Sequence, residues 1–92
     1  MTRHDAYLAA IREALNRHDP IGLIEMGCPQ DEYDPEANAG ARALHRFFSE
    51  HYVQVMVHSI FRSMFDDQTA GPLRAYAPLA AGLIRIRRQF CR

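Results

Sequence analysis

Apolar residues recur every three or four positions along four stretches of the chain, which is the spacing of an amphipathic helix. In the first stretch, for example, Leu8, Ile11 and Leu15 follow this spacing. The four predicted helices cover about residues 5–17, 34–49, 51–65 and 74–90. Because most connectors between them are short, we expect an all-α fold in the form of a compact antiparallel four-helix bundle.

The second and third stretches carry broad apolar faces. In the second, the spacing predicts that Leu44 and Phe48 lie on one buried stripe. The third contains the run YVQVMV, which is also typical of a strand when taken alone, since it is rich in β-branched residues. The longer pattern from Val53 to Met64 favours a helix. Most of its apolar face is expected to be core, and part of it to extend into a self-association surface or a partner groove.

Prolines indicate where two of these helices begin. Asp34, Pro35 and Glu36 predict a helix start, with Asp34 as the N-cap, Pro35 at the first helical position and Glu36 in the first turn. Pro78 falls inside the fourth pattern, so it either lies in the first turn of a helix that begins near Ala77 or kinks that helix.

One connector is long, because residues 19–33 separate the first two predicted helices. Its DPIG sequence predicts a turn, with Pro20 at the position that needs a fixed φ and Gly22 at a position of positive φ. We expect the hydroxyl of Tyr33 to bond to Asp19 or to the backbone of this turn. Asp19, Pro20, Gly22 and Tyr33 are therefore interpreted as a structural motif that orders the connector.

Composition narrows the classes of function. The 92 residues predict a single domain, residues 1–92, and the eleven basic residues balance eleven acids, which gives no general argument for nucleic acid. No apolar stretch reaches the ~18 residues of a membrane span, and the start of the chain lacks the apolar run of a signal peptide. We therefore expect a cytoplasmic protein with reduced cysteines and no membrane contact.

The residue pattern argues against an enzyme. No cysteines or histidines have zinc-ligand spacing, and the acids near residue 31 lack the order of a calcium loop. Cys28 has acids rather than bases as sequence neighbours, and no phosphate-binding loop is present. We predict no catalytic residue, no metal and no cofactor.

Two charged regions of opposite sign remain as candidate binding surfaces. The acids at the start of the second predicted helix are the first candidate, comprising Asp31, Glu32, Asp34 and Glu36. The alternative basic patch, spaced three and four residues along the last helix, comprises Arg85, Arg88 and Arg92. The helix dipole alone also favours cations at this end of a helix.

The chain resembles the YugE-like proteins, a small bacterial family of all-helical proteins of unknown function. The resemblance rests on DPIG at residues 19–22, DEYD at residues 31–34 and an IF…F run at residues 60–65. His18 and Asp66 depart from the family pattern. The resemblance implies a compact four-helix fold without known catalytic activity, and it brings no site residues with it.

These observations predict a non-enzymatic protein-interaction module. Small bacterial proteins of this type are sometimes immunity proteins, so one specific hypothesis is that the acidic surface neutralises a toxin domain by charge complementarity. The alternatives are self-association into a homodimer, and a regulatory or nucleic-acid-associated role for the C-terminal arginines.

Overall fold

The computed structural model describes residues 2–91, which form helices and connecting turns without any strand. The α-helices are α1 (Arg3–His18), α2 (Asp34–Leu44), α3 (Glu50–Met64), α4 (Asp67–Ala70) and α5 (Ala77–Phe90). A 3-10 helix at Leu73–Tyr76 leads directly into α5. The all-α class is confirmed, and the YVQVMV run lies within α3 rather than in a strand.

Side chains of the preceding residues cap several helix starts. Thr2 accepts a hydrogen bond from the backbone N–H of Asp5, and the Asp5 carboxylate accepts one from the backbone N–H of Thr2. Ser49 caps α3 in the same general way. At α5, Pro78 lies in the first turn of a helix that begins at Ala77, which is the first of the two alternatives that the sequence left open.

The second helix is shorter than the spacing predicts, because α2 ends at Leu44 instead of reaching residue 49. Beyond it the chain tightens, and the N–H groups of Arg46 and Phe47 bond to carbonyls only three residues back. The prediction that Phe48 belongs to the buried stripe is therefore wrong, since its side chain is 77% exposed. Its ring lies under the guanidinium of Arg87, 4.1 Å from Cζ to the ring centroid.

The last predicted helix also begins later, at residue 77 rather than 74, because the preceding residues form the 3-10 helix. The loop expected before it contains the short helix α4, which Asp66 caps through the N–H of Thr69. The hydroxyl of buried Tyr76 donates to the carbonyl of Ala70 at 2.6 Å. This bond ties the 3-10 helix to α4.

The core lies between the four longer helices. α1 packs against α2 and α5, and α3 packs against the same two helices. The largest fully buried side chains are Tyr33, Tyr76, Phe61, Ile11, Leu15, Leu44, Leu79, Ile84 and Val53. The radius of gyration is 12.2 Å, which matches the roughly 12 Å of a compact chain of this length. Among residues 2–91, no helix is both long enough and apolar enough to span a membrane.

Candidate functional site

The four acids predicted as one contact surface do not form one. Asp31 and Glu32 are exposed, but Asp34 is only partly exposed and Glu36 is 4% exposed. The prediction that Glu36 faces a partner is therefore wrong. It failed because a charged residue in the first turn of a helix is usually solvated, whereas here that turn packs against the rest of the fold.

Asp34 differs from its predicted role as well, because it is the first residue of α2 and makes no capping bond. Its two carboxylate oxygens instead accept hydrogen bonds from Nε and an Nη atom of Arg12, both at 2.7 Å. This bidentate ion pair links α1 to α2. Asp34 thus has a structural partner within the chain.

The carboxylate of Glu36 lies in an energetically unfavourable environment. Its Oε2 is buried and has no hydrogen-bond partner among the described residues. Burial raises the pKa of Glu36 above its ordinary value, and the nearby negative charges of Glu32 and Asp34 raise it further. Even so, the described part of the chain brings together no group of three or more side chains suited to a metal ion.

Asp19 and Tyr33 form the centre of the connector between α1 and α2. Tyr33 is fully buried, and its hydroxyl donates to Asp19 Oδ1 at 2.6 Å. The Asp19 carboxylate also accepts from the N–H groups of Ile24 and Glu25, at 3.0 Å each. The Tyr33 hydroxyl in turn accepts long bonds from two N–H groups of the DPIG turn and its continuation.

The electrostatics of this pair follow from the same contacts. Burial alone would raise the pKa of Asp19, but hydrogen bonds from Tyr33 and from backbone N–H groups outweigh burial and lower it. Burial and the bond to Asp19 raise the pKa of Tyr33. Asp19 has a left-handed backbone with φ 48° and Gly22 has φ 77°, conformations that aspartate tolerates and glycine favours. These residues hold the chain in place and leave no free reactive group.

The basic residues near the C-terminus divide between structural and exposed roles. Arg87 donates to the carbonyl of His45 at 3.0 Å and covers Phe48, so it joins α5 to the turn between α2 and α3. Arg85 and Arg88 are exposed and take part in no ion pair within residues 2–91. Arg92 lies outside the described residues.

Arg85 also lines a cavity of about 310 Å³ between α1 and α5, together with Arg17 and His18. Burial lowers the pKa of His18, and the positive charges of Arg17 and Arg85 lower it further. The acid in this cavity is Glu13, which is paired with Arg17. The cavity is therefore polar and of mixed charge.

A larger and more apolar opening lies elsewhere, in a groove between α2 and α3 that we call the α2–α3 groove. Its volume is about 500 Å³. Its walls contain no charged residue and consist of Ala39, Phe47, Val55, Met56, Ser59, Ile60, Ser63 and Met64. Val55 is 38% exposed and Met64 is 43% exposed, which leaves a contiguous apolar surface open to solvent. Concave, mostly apolar openings are where proteins commonly bind ligands or partner segments.

Helix α3 shapes this groove through two parallel rows of side chains. Val55, Ser59 and Ser63 form one row at intervals of four residues, and Met56, Ile60 and Met64 form the next. Rows at this interval are the ridges that pack into grooves between the side chains of another helix. Ala39 on α2, together with Ser59 and Ser63 on α3, has a small side chain, so the groove is deep at these positions.

The sequence carried part of this signal. The apolar face predicted for α3 includes Met56, Ile60 and Met64, which line the groove, and part of that face was expected to extend beyond the core. Val55 was not assigned to that face. The groove itself was missed, because its other wall depends on where α2 ends and on how Phe47 folds back over α3.

Comparison with protein-family models, with curated proteins and with solved structures finds no significant match. The resemblance to the YugE-like proteins therefore stays a prediction. Function has to be inferred from the surface of the molecule itself.

Proposed function

We propose that this protein is a non-enzymatic protein-binding module and that the α2–α3 groove is its binding surface. The observation that carries the proposal is the uncharged lining of a groove of about 500 Å³ on a chain in which 24% of the residues are charged. An uncharged, apolar groove suits the apolar side chains of a partner segment, because water is released from both surfaces when they meet.

The positions and partners of the acidic residues support the non-enzymatic part of the proposal. Asp19 is held by three hydrogen bonds, Asp34 is paired with Arg12, and Glu36 is buried. None of these carboxylates projects into the α2–α3 groove, whose lining has no titratable group. General acid–base chemistry needs such a group within reach of a substrate.

In this proposal α1, α2, α3 and α5 are the antiparallel four-helix bundle that the sequence predicts, and the connector at residues 19–33 is an ordered scaffold. The groove is then a seam between two helices that the bundle leaves open. The immunity hypothesis remains one form of the proposal, with a toxin domain as the partner. Of the four acids first assigned to it, Asp31 and Glu32 are the two that are exposed.

Photo-crosslinking in the cells from which the sequence comes tests the proposal. A photoreactive residue replaces exposed Ser59 in the groove, and a second protein carries it at Arg88 on α5 as the position control. We expect one partner protein to be captured from Ser59 and not from Arg88. Capture should fall at least about tenfold when Met64→Glu places a charge in the groove.

The matched control is the double reversal Asp31→Lys/Glu32→Lys, which should leave capture from Ser59 unchanged. If the reversal abolishes capture while Met64→Glu does not, the acidic residues form the contact and the groove proposal is wrong. If Ser59 captures only other copies of this chain, the surface serves self-association and the proposed partner does not exist.

Phosphate binding by the basic end of α5 is a second candidate function. The observation that favours it is the convergence of Arg85, Arg17 and His18 around one cavity, with Arg88 exposed nearby on the same helix. Fluorescence anisotropy with a labelled DNA duplex and a labelled RNA strand, between about 50 mM and about 200 mM salt, tests this candidate. Arg85→Gln/Arg88→Gln should lower the salt slope by about 2, whereas no binding at the lower salt excludes the candidate.

A further inference from the structure

We infer that the partner segment in the α2–α3 groove is an amphipathic helix that carries acidic residues beside its apolar face. This inference rests on the proposed function and names the chemistry of the partner. Shape and charge around the groove support it independently of each other.

The length of the groove and the rows of side chains along it fit a helix. The part of α3 that lines it, from Val55 to Met64, is about 14 Å long at 1.5 Å per residue. Two and a half turns of a partner helix span this distance and present apolar side chains at positions i, i+3 or i+4, and i+7. The row of small residues at Ser59 and Ser63 allows such a helix to approach closely, and Val55 and Met64 flank its path.

The charges beside the groove have one sign on its α2 edge. Ala39 and Phe47 line the groove; Arg42 follows Ala39 by three residues on α2, and Arg46 directly precedes Phe47 in the turn after α2. Both arginines are exposed, and neither forms an ion pair within residues 2–91. The acids at the start of α2 do not offset them, since Asp34 is paired and Glu36 is buried.

The two ends of α3 carry acids outside any ion pair of residues 2–91, namely Glu50 in its first turn and Asp66 just beyond Met64. Between them, Arg62 lies beside Val55 and Ser59 on the helix surface, and it is paired with Asp67 at 2.8 Å. The unpaired charge on the α2 edge is therefore positive, and acids beside the apolar face of the partner would complement this edge.

Two synthetic helical peptides test the inference on the purified protein. Both carry leucine at positions i, i+3, i+4 and i+7, one has glutamate beside this face, and the other has lysine at the same positions. Binding is followed by the NMR shifts of the Ser59 and Ser63 amides, with those of Arg88 as the reference. We expect the glutamate peptide to bind at least about tenfold more tightly than the lysine peptide.

Charge reversal provides the matched variant. Arg42→Glu/Arg46→Glu should abolish or invert this preference, whereas Arg88→Glu should leave it unchanged. Should the double reversal unfold, Arg42→Gln/Arg46→Gln should still reduce the preference. Equal binding of the two peptides, or no shift in the groove with either, overturns the inference. Crosslinking from Ser59 tests the proposed function separately. Failure of this inference can therefore be distinguished from failure of the proposed function.

Discussion

At the scale of single residues, Tyr33 shows how a polar hydroxyl group is buried without destabilising the fold. Its ring packs edge-on against Phe61, with centroids 5.8 Å apart, while its hydroxyl reaches Asp19. The carboxylate of Asp19 replaces the water that the hydroxyl loses, and the connector wraps around this pair. A fully buried hydroxyl without such a partner would destabilise the fold.

Tyr33→Phe should therefore lower the free energy of unfolding by about 1 to 3 kcal/mol, since it removes a hydrogen bond to a charged group. The difference in stability between the wild type and Tyr33→Phe should become smaller at acidic pH. The pKa of Asp19 is lowered in the folded state, so its contribution is present above the ordinary aspartate pKa and disappears as the pH falls through the lowered value.

Urea unfolding at neutral and acidic pH measures both effects. Tyr52→Phe is the control, because Tyr52 is 61% exposed and its hydroxyl makes no hydrogen bond within residues 2–91. An equal loss of stability in the two variants would contradict the assignment.

Glu36→Gln should stabilise the protein at neutral pH by on the order of 1 kcal/mol, because it removes a buried charge that has an unpartnered oxygen. The pKa of Glu36 is raised in the folded state, so ionisation opposes folding. The wild type therefore loses stability as the pH rises from the ordinary glutamate pKa through the raised value.

Thermal unfolding at several pH values in this range checks the direction of the pH dependence. The advantage of Glu36→Gln should be present at pH 7 and absent in acid, where the wild-type side chain is also neutral. An advantage that grows as the pH falls would show that the carboxylate is paired rather than isolated.

At the scale of helices, the ion pair between Arg12 and Asp34 joins α1 to α2 across the long connector. A double-mutant cycle with Arg12→Gln and Asp34→Asn should give a coupling energy of about 0.5 to 1 kcal/mol that weakens as salt is added. The pair Arg17–Glu13 within α1 is more exposed and serves as the comparison, with a coupling of about 0.5 kcal/mol or less. No coupling between Arg12 and Asp34 would leave Asp34 free to serve as a contact residue.

The helix ends show which boundaries depend on neighbouring residues and which depend on distant parts of the chain. The start of α5 at Ala77 is one of the two alternatives that Pro78 left open, because proline constrains only its own turn. The end of α2 did not follow, because the apolar spacing continues to Phe48 while the chain must turn to reach the cap of α3 at Ser49.

At the scale of the molecule, the apolar residues separate into those that fold the chain and those that line the α2–α3 groove. Val55→Gln/Met64→Gln should change the free energy of unfolding by no more than about 0.5 kcal/mol per site, since both residues are already partly exposed. Leu83→Ala in the core should cost about 2 to 5 kcal/mol.

Chemical denaturation of the two variants tests this division, and binding of an apolar fluorescent dye provides a second measurement. The groove variant should bind less dye at unchanged stability. A loss of stability comparable to that of Leu83→Ala would mean that the groove residues belong to the core.

The sequence by itself determined the helical class and the approximate positions at which several helices begin. It also indicated that the hydroxyl of Tyr33 bonds to Asp19 or to the backbone of the DPIG turn. These features depend on the periodicity of neighbouring residues and on proline and capping chemistry, which act within a few positions along the chain.

Only the tertiary structure decided which charges stay in water and which apolar residues stay exposed. Asp34 meets an arginine 22 positions earlier in the sequence, Glu36 is covered by the fold, and Phe48 leaves the stripe to which its spacing assigns it. Periodicity tells which side chains share a face of a helix, but the cover over that face comes from distant parts of the chain. The α2–α3 groove exists because no part of the described chain covers that stretch of α3.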